Sequence, residues 1–137
     1  MDQRLSLVTL VVADLAATRR FYVDGLGWEP EFEAPGEVLM FRVGQRVILS
    51  LWDEAHAVEE IGPVTSGGTP PVTLAHNLAT DEEVDAVLAE ARAAGAASVH
   101  DAVARAWGGY SGYFADPDGF RWEVARNPGE LGDSLLP

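Results

Sequence analysis

Tyr113-Phe114-Ala115-Asp116-Pro117-Asp118-Gly119-Phe120-Arg121-Trp122-Glu123 decides how the chain is read. Its centre, Asp116-Pro117-Asp118-Gly119, puts Asp, Pro and Gly where a type I turn wants them. Aromatic residues on both sides favour strands, so the stretch predicts a hairpin of strands over 112–115 and 121–125. Side chains alternate along a strand. Trp122 and Val124 therefore share one face, and Arg121, Glu123 and Ala125 share the other.

Upstream of the hairpin lies a helix with clear ends. Thr80 and Glu83 have capping-box spacing, and Val84, Val87, Leu88 and Ala91 form an i, i+3, i+4, i+7 stripe that stops at Gly95. Strands over 72–77 and 97–103 flank it, so the second half reads strand, helix, three strands. The first half reads the same way. A β-branched strand over 7–12 is followed by Asp14 as an N-cap, and Leu15, Thr18, Phe21 and Tyr22 recur at helical spacing until Gly25. Strands over 31–34, 38–42 and 46–52 follow, the last two joined by Val43-Gly44-Gln45. Between the halves, Gly62-Pro63 and the run Thr65-Ser66-Gly67-Gly68-Thr69-Pro70-Pro71 have the breakers of a connector. The pattern predicts an α+β protein of two tandem βαβββ modules within one domain, 1–137. Module 1 covers about 5–58, the linker about 59–71, module 2 about 72–128 and a tail 129–137.

An apolar fraction of 47% over 137 residues suffices for one core. The apolar run 5–12 is far too short for a bilayer and has only Arg4 as a basic flank, so a cytoplasmic protein is expected. With no cysteine, disulfides and thiolate chemistry are excluded. Nine basic against 22 acidic residues give a net charge of −13, which argues against nucleic acid and anionic membrane as partners. The acid reads either as solubility, the preferred reading because Asp81, Glu82, Glu83, Asp85 and Glu90 suit a solvated helix face, or as a field that attracts a cationic ligand. Gly62 and Gly67-Gly68 lack a following helix and a lysine, so no nucleotide cofactor is expected. No Ser-His-Asp set or paired carboxylates stand out.

Ala13-Asp14-Leu15, Arg20-Phe21-Tyr22 and Leu26-Gly27-Trp28 resemble the first module of the vicinal-oxygen-chelate superfamily, the glyoxalase/bleomycin resistance/dioxygenase-like proteins. Glu82-Glu83-Val84-Asp85, Ala94-Gly95-Ala96 and the stretch from Tyr113 to Gly119 running into Trp122-Glu123 resemble the second. The likeness spans roughly 6–128. It implies paired modules whose curved eight-stranded sheet surrounds a cleft, with helices outside, and a homodimer. It also implies that Glu123 faces the cleft. Parity then gives Leu7, Thr9, Val11, Ile48, Ser50, Trp52, Thr73, Ala75 and Asn77 to the cleft, and Val8, Leu10, Val12, Val47, Leu49, Leu51, Val72, Leu74 and His76 to the helices.

Metal-dependent members of the superfamily take ligands from the first and last strand of each module. The matching positions here are Leu7, Ile48 or Ser50, Thr73 and Glu123, and only Glu123 ligates strongly. One carboxylate does not fix a divalent ion, so no metal and no cofactor are expected. A one-residue slip would turn His76 towards Glu123, but the preferred reading is a histidine packed and bonded at the helix interface. His56 and His100 read as solvent-exposed.

Trp107-Gly108-Gly109-Tyr110 interleaves large aromatics with glycines, either as a lip over a flat ligand or as a strand entry whose aromatics fill the core. The candidate ligand-binding set is Thr9, Ser50, Trp52, Thr73, Asn77, Trp107, Tyr110 and Glu123. The functional expectation is a metal-free protein that binds a small molecule, an antibiotic or another partly aromatic or cationic compound. The alternative is a lyase, isomerase or dioxygenase in which Glu123 is base or metal ligand.

Overall fold

The computed structural model describes residues 1–65 and 68–137. It divides into two compact units, 1–66 and 67–137, with the division inside the expected linker.

In the first unit, β1 (Leu7–Val12), β2 (Phe32–Ala34), β3 (Val38–Gly44) and β4 (Val47–Asp53) form a four-stranded sheet of order β1-β4-β3-β2. β1 runs parallel to β4 and the other neighbours are antiparallel. The crossover helix α1 (Leu15–Arg19) starts on Asp14, whose side chain accepts from the Ala17 amide, and continues as a π-helical turn, Arg20–Gly25. That turn sends Phe21 and Tyr22 into the core. There Tyr22 meets Trp28 and Phe41 at centroid distances of 5.2 and 5.8 Å, and Trp28 meets Phe41 edge-on at 5.2 Å. Leu10, Val12, Leu39, Phe41, Leu49 and Leu51 complete the core, as alternation requires. A further helix, α2 (Glu54–Ile61), replaces the expected start of the connector. Asp53 ends β4 and caps it, accepting from the Ala55 and His56 amides.

The second unit repeats this topology. β5 (Thr73–Asn77), β6 (Ser98–Ala104), β7 (Tyr110–Ala115) and β8 (Arg121–Arg126) order as β5-β8-β7-β6, with β5 parallel to β8. Helix α3 (Asp81–Ala94) has both bonds of the capping box, and Gly95 closes it at φ 94°, where a side chain would be strained. Val84, Leu88 and Ala91 bury against Phe114, Trp122 and Val124, the last two on the face that alternation assigned to the helix. A short helix, α4 (Gly129–Asp133), occupies the expected tail. Among the described residues the eight strands pair as two four-stranded sheets rather than as one eight-stranded sheet, and β1 and β5 each carry an unpaired edge.

Candidate functional site

The hairpin turn fixes the geometry around Glu123. Buried Asp116 accepts from the amides of Asp118 and Phe120, closing the turn so that Ala115 faces Arg121. Counting back along both strands sets Tyr113 opposite Glu123. With β5 and β6 added, one row crosses the sheet as Ala75, Glu123, Tyr113 and His100. This face lies opposite α3, since a Cβ added to Gly112, on the other face, would come within 2.5 Å of Leu88 Cδ1.

The Tyr113 hydroxyl donates to Glu123 Oε1 at 2.7 Å. That bond, with burial and the Glu123 charge adding to it, holds the hydroxyl above the ordinary tyrosine pKa, so Tyr113 stays a neutral donor. Oε2 of Glu123 has no partner among the described residues. Arg105, in the turn between β6 and β7, lays its guanidinium carbon 5.7 Å from the Tyr113 ring centre. It is anchored to Ser111, Nε donating to Oγ at 2.9 Å and Nη2 to the carbonyl oxygen at 3.0 Å. Arg105 and Glu123 do not pair; each touches Tyr113 instead.

Of the residues picked from sequence, Thr73, Asn77 and Glu123 share this face. Thr73 is exposed beside Arg121, and Asn77 accepts from the Asn127 side-chain amide. Tyr110 lies three residues from Tyr113, pairs with Arg126 on the α3 face, opposite that of Glu123, and donates to Asp85 of α3 at 2.9 Å. Trp107 is 51% exposed, and its indole lies where a Cβ on Gly109 would be. It covers its own turn and fills no core. Thr9, Ser50 and Trp52 share the open face of the first sheet with Val11, Val38, Met40 and Phe32. Thr9 and Phe32 are exposed, Trp52 is half-buried and Ser50 is buried.

The register also decides between Ile48 and Ser50. Thr9 precedes its N-cap Asp14 by five residues and faces Ser50; Ala75 precedes Thr80 by five and faces Glu123. Ser50 is therefore the first unit's counterpart of Glu123. His76 pairs with Val124 on the α3 face in a ladder without a shift, but it is exposed there, not packed as expected. His100 is exposed as expected, yet it stands beside Tyr113 on the face of Glu123. Tyr113, Arg105 and His100 are the neighbours of Glu123 that sequence reasoning missed. The hairpin register was a signal for Tyr113; nothing marked Arg105.

The family model described as the Glyoxalase/Bleomycin resistance protein/Dioxygenase superfamily matches residues 4–124. The chain belongs to this superfamily. Among solved structures it resembles a glyoxalase-related enzyme from Fulvimarina pelagi, at 36% identity over 92% of this chain and 89% of that one, with a TM-score of 0.83. A glyoxalase/bleomycin resistance protein/dioxygenase from Nocardioides matches at 28% identity over 96% and 91%, TM-score 0.77. A lactoylglutathione lyase from Agrobacterium tumefaciens matches at 25% over 92% and 95%, TM-score 0.71. A search of curated proteins returns no significant match.

Superfamily membership raises the question of a metal. Among the described residues no three His, Asp or Glu side chains converge, and Leu7, Ser50 and Thr73 supply no strong donor at the matching positions. This donor set does not fit a catalytic divalent ion. No helix of the described residues is long and apolar enough to cross a membrane.

Proposed function

We propose that the chain binds a small molecule without a metal, and that Glu123 is the polar anchor. The observation that carries this is a half-buried carboxylate with one oxygen held by Tyr113 and the other without a partner. Such an oxygen favours a ligand N–H donor, and a cationic one most, because charge-assisted hydrogen bonds are the stronger kind. The net charge of −13 favours approach of a cation. Thr73, Ala75 and His100 border Glu123 and Tyr113 on the same face. The open face of the first sheet, with Thr9, Ser50 and Trp52, offers a surface for aromatic or apolar groups. A homodimer in the cytoplasm is the proposed setting.

Benzylamine is a minimal probe, an ammonium on a ring. Amide NMR shifts upon its addition are expected at Tyr113, Glu123 and Ala75. Shifts confined to the acidic surface of α3, or none at all, would contradict the reading. A second reading is catalysis with Glu123 as general base, its unpartnered Oε2 taking a proton from the substrate and returning it to another atom of the same substrate while Tyr113 holds Oε1. Turnover lost in Glu123→Gln with binding retained would select it.

A further inference from the structure

Resting on Glu123 as the ligand anchor, we infer that Arg105 is a second anchor of opposite charge and that the preferred ligand is dipolar, with an ammonium for Glu123 and a carboxylate for Arg105. Arg105 spends Nε and Nη2 on Ser111, while Nη1 has no partner among the described residues. Two other arginines of this unit meet carboxylates, Arg92 with Asp101 and Arg126 with Asp81. Arg105 meets none, although Glu123 bonds the very ring it covers. Tyr113 thus keeps two opposite charges apart on one face, its hydroxyl donating to Glu123 and its ring lying against Arg105. Neither half-buried charge has an ion-pair partner among the described residues, and a ligand bearing both complementary charges pairs both at once. In a chain of net charge −13, a built site for an anion is the discriminating feature. Ser111, 1% exposed, fixes where the guanidinium sits.

The test compares three probes by calorimetry at about pH 8, where an ordinary imidazole is neutral: 4-(aminomethyl)benzoate carries both charges, benzylamine the cation only and 4-methylbenzoate the anion only. The dipolar probe is expected to bind at least about tenfold tighter than benzylamine, a difference of about 1.4 kcal/mol. Arg105→Gln should abolish that preference, and Arg105→Lys should restore part of it. Arg121→Gln, which removes the other arginine on this face, should leave the preference intact. If benzylamine binds but the dipolar probe binds no tighter, Arg105 is no anchor and the Glu123 reading stands. Equal losses for both probes in Arg105→Gln mean a structural role and overturn the inference. Loss of the preference in Arg121→Gln assigns the anion to Arg121 instead. If none of the probes binds, the Glu123 reading and this inference fall together.

Discussion

Replacing Tyr113 with Phe removes one hydroxyl and leaves the ring, so it isolates the bond to Glu123. An O–H donor to a carboxylate contributes about 1.5–3 kcal/mol when buried. Both partners here are half-buried, and water takes up part of the lost bond, so about 1 kcal/mol is expected. For a chain of this length that is a fall of about 3–5 °C in Tm. The pH dependence supplies the sharper sign. The hydrogen bond to Glu123, then burial, then the Glu123 charge raise the Tyr113 pKa above the usual tyrosine value of 10.0. A group with a raised folded pKa contributes its full stability below the unfolded value and loses it as pH rises through the folded one. Urea unfolding of wild type and Tyr113→Phe should therefore differ by a constant amount from neutral pH up to about pH 9.5, and the difference should shrink above about pH 10. Tyr110 also has a raised pKa through Asp85, but it is present in both proteins and cancels. A variant as stable as wild type at neutral pH, or a difference that does not shrink in alkali, would refute the bond as described.

Gly112→Ala would put a Cβ 2.5 Å from Leu88 Cδ1 and 2.7 Å from the His100 carbonyl oxygen, so overpacking should cost about 1–3 kcal/mol in chemical denaturation, whereas Gly44→Ala, with its nearest neighbour at 3.7 Å, should change little. Trp28→Ala should cost about 2–3 kcal/mol, below the range for a fully buried tryptophan, because the half-buried indole packs on Tyr22 and Phe41; Trp52→Ala, on the open face, should cost less by the same assay. Elemental analysis of dialysed protein should find metal well below one equivalent, and a stoichiometric ion lost in Glu123→Ala would contradict the metal-free proposal.

Features written in local chemistry were legible. The Asp116 turn, the Thr80–Glu83 capping box and the Gly95 cap each depend on a few adjacent residues, and each is present. Alternation assigned Trp122, Val124, Leu10 and Leu49 to the core because strand parity needs no distant information. Helix α2 was not legible. It is only eight residues long, its larger apolar side chains Val58 and Ile61 stay exposed, and its start depends on Asp53, which also ends a strand. Tyr110 was grouped with Trp107 by composition, whereas its three-residue separation from Tyr113 puts it on the α3 face. The fold-back of Trp107 follows from Gly108 at φ 91°, a backbone choice no side-chain pattern announces. Arg105 reaches Tyr113 only because the turn brings it over β7, so its role was invisible until the strands were paired. Pairing into two sheets rather than one likewise depends on contacts distant in sequence.

The Glu123 carboxylate is the proposed holder of the ligand's donor group. Calorimetric titration of benzylamine into wild type and Glu123→Gln, each at low and at physiological ionic strength, tests it most directly. Binding to wild type should be saturable and weaken with salt, and Glu123→Gln should lose at least about tenfold in affinity, with little remaining salt dependence. Equal affinity for the two proteins at both salt concentrations would contradict it.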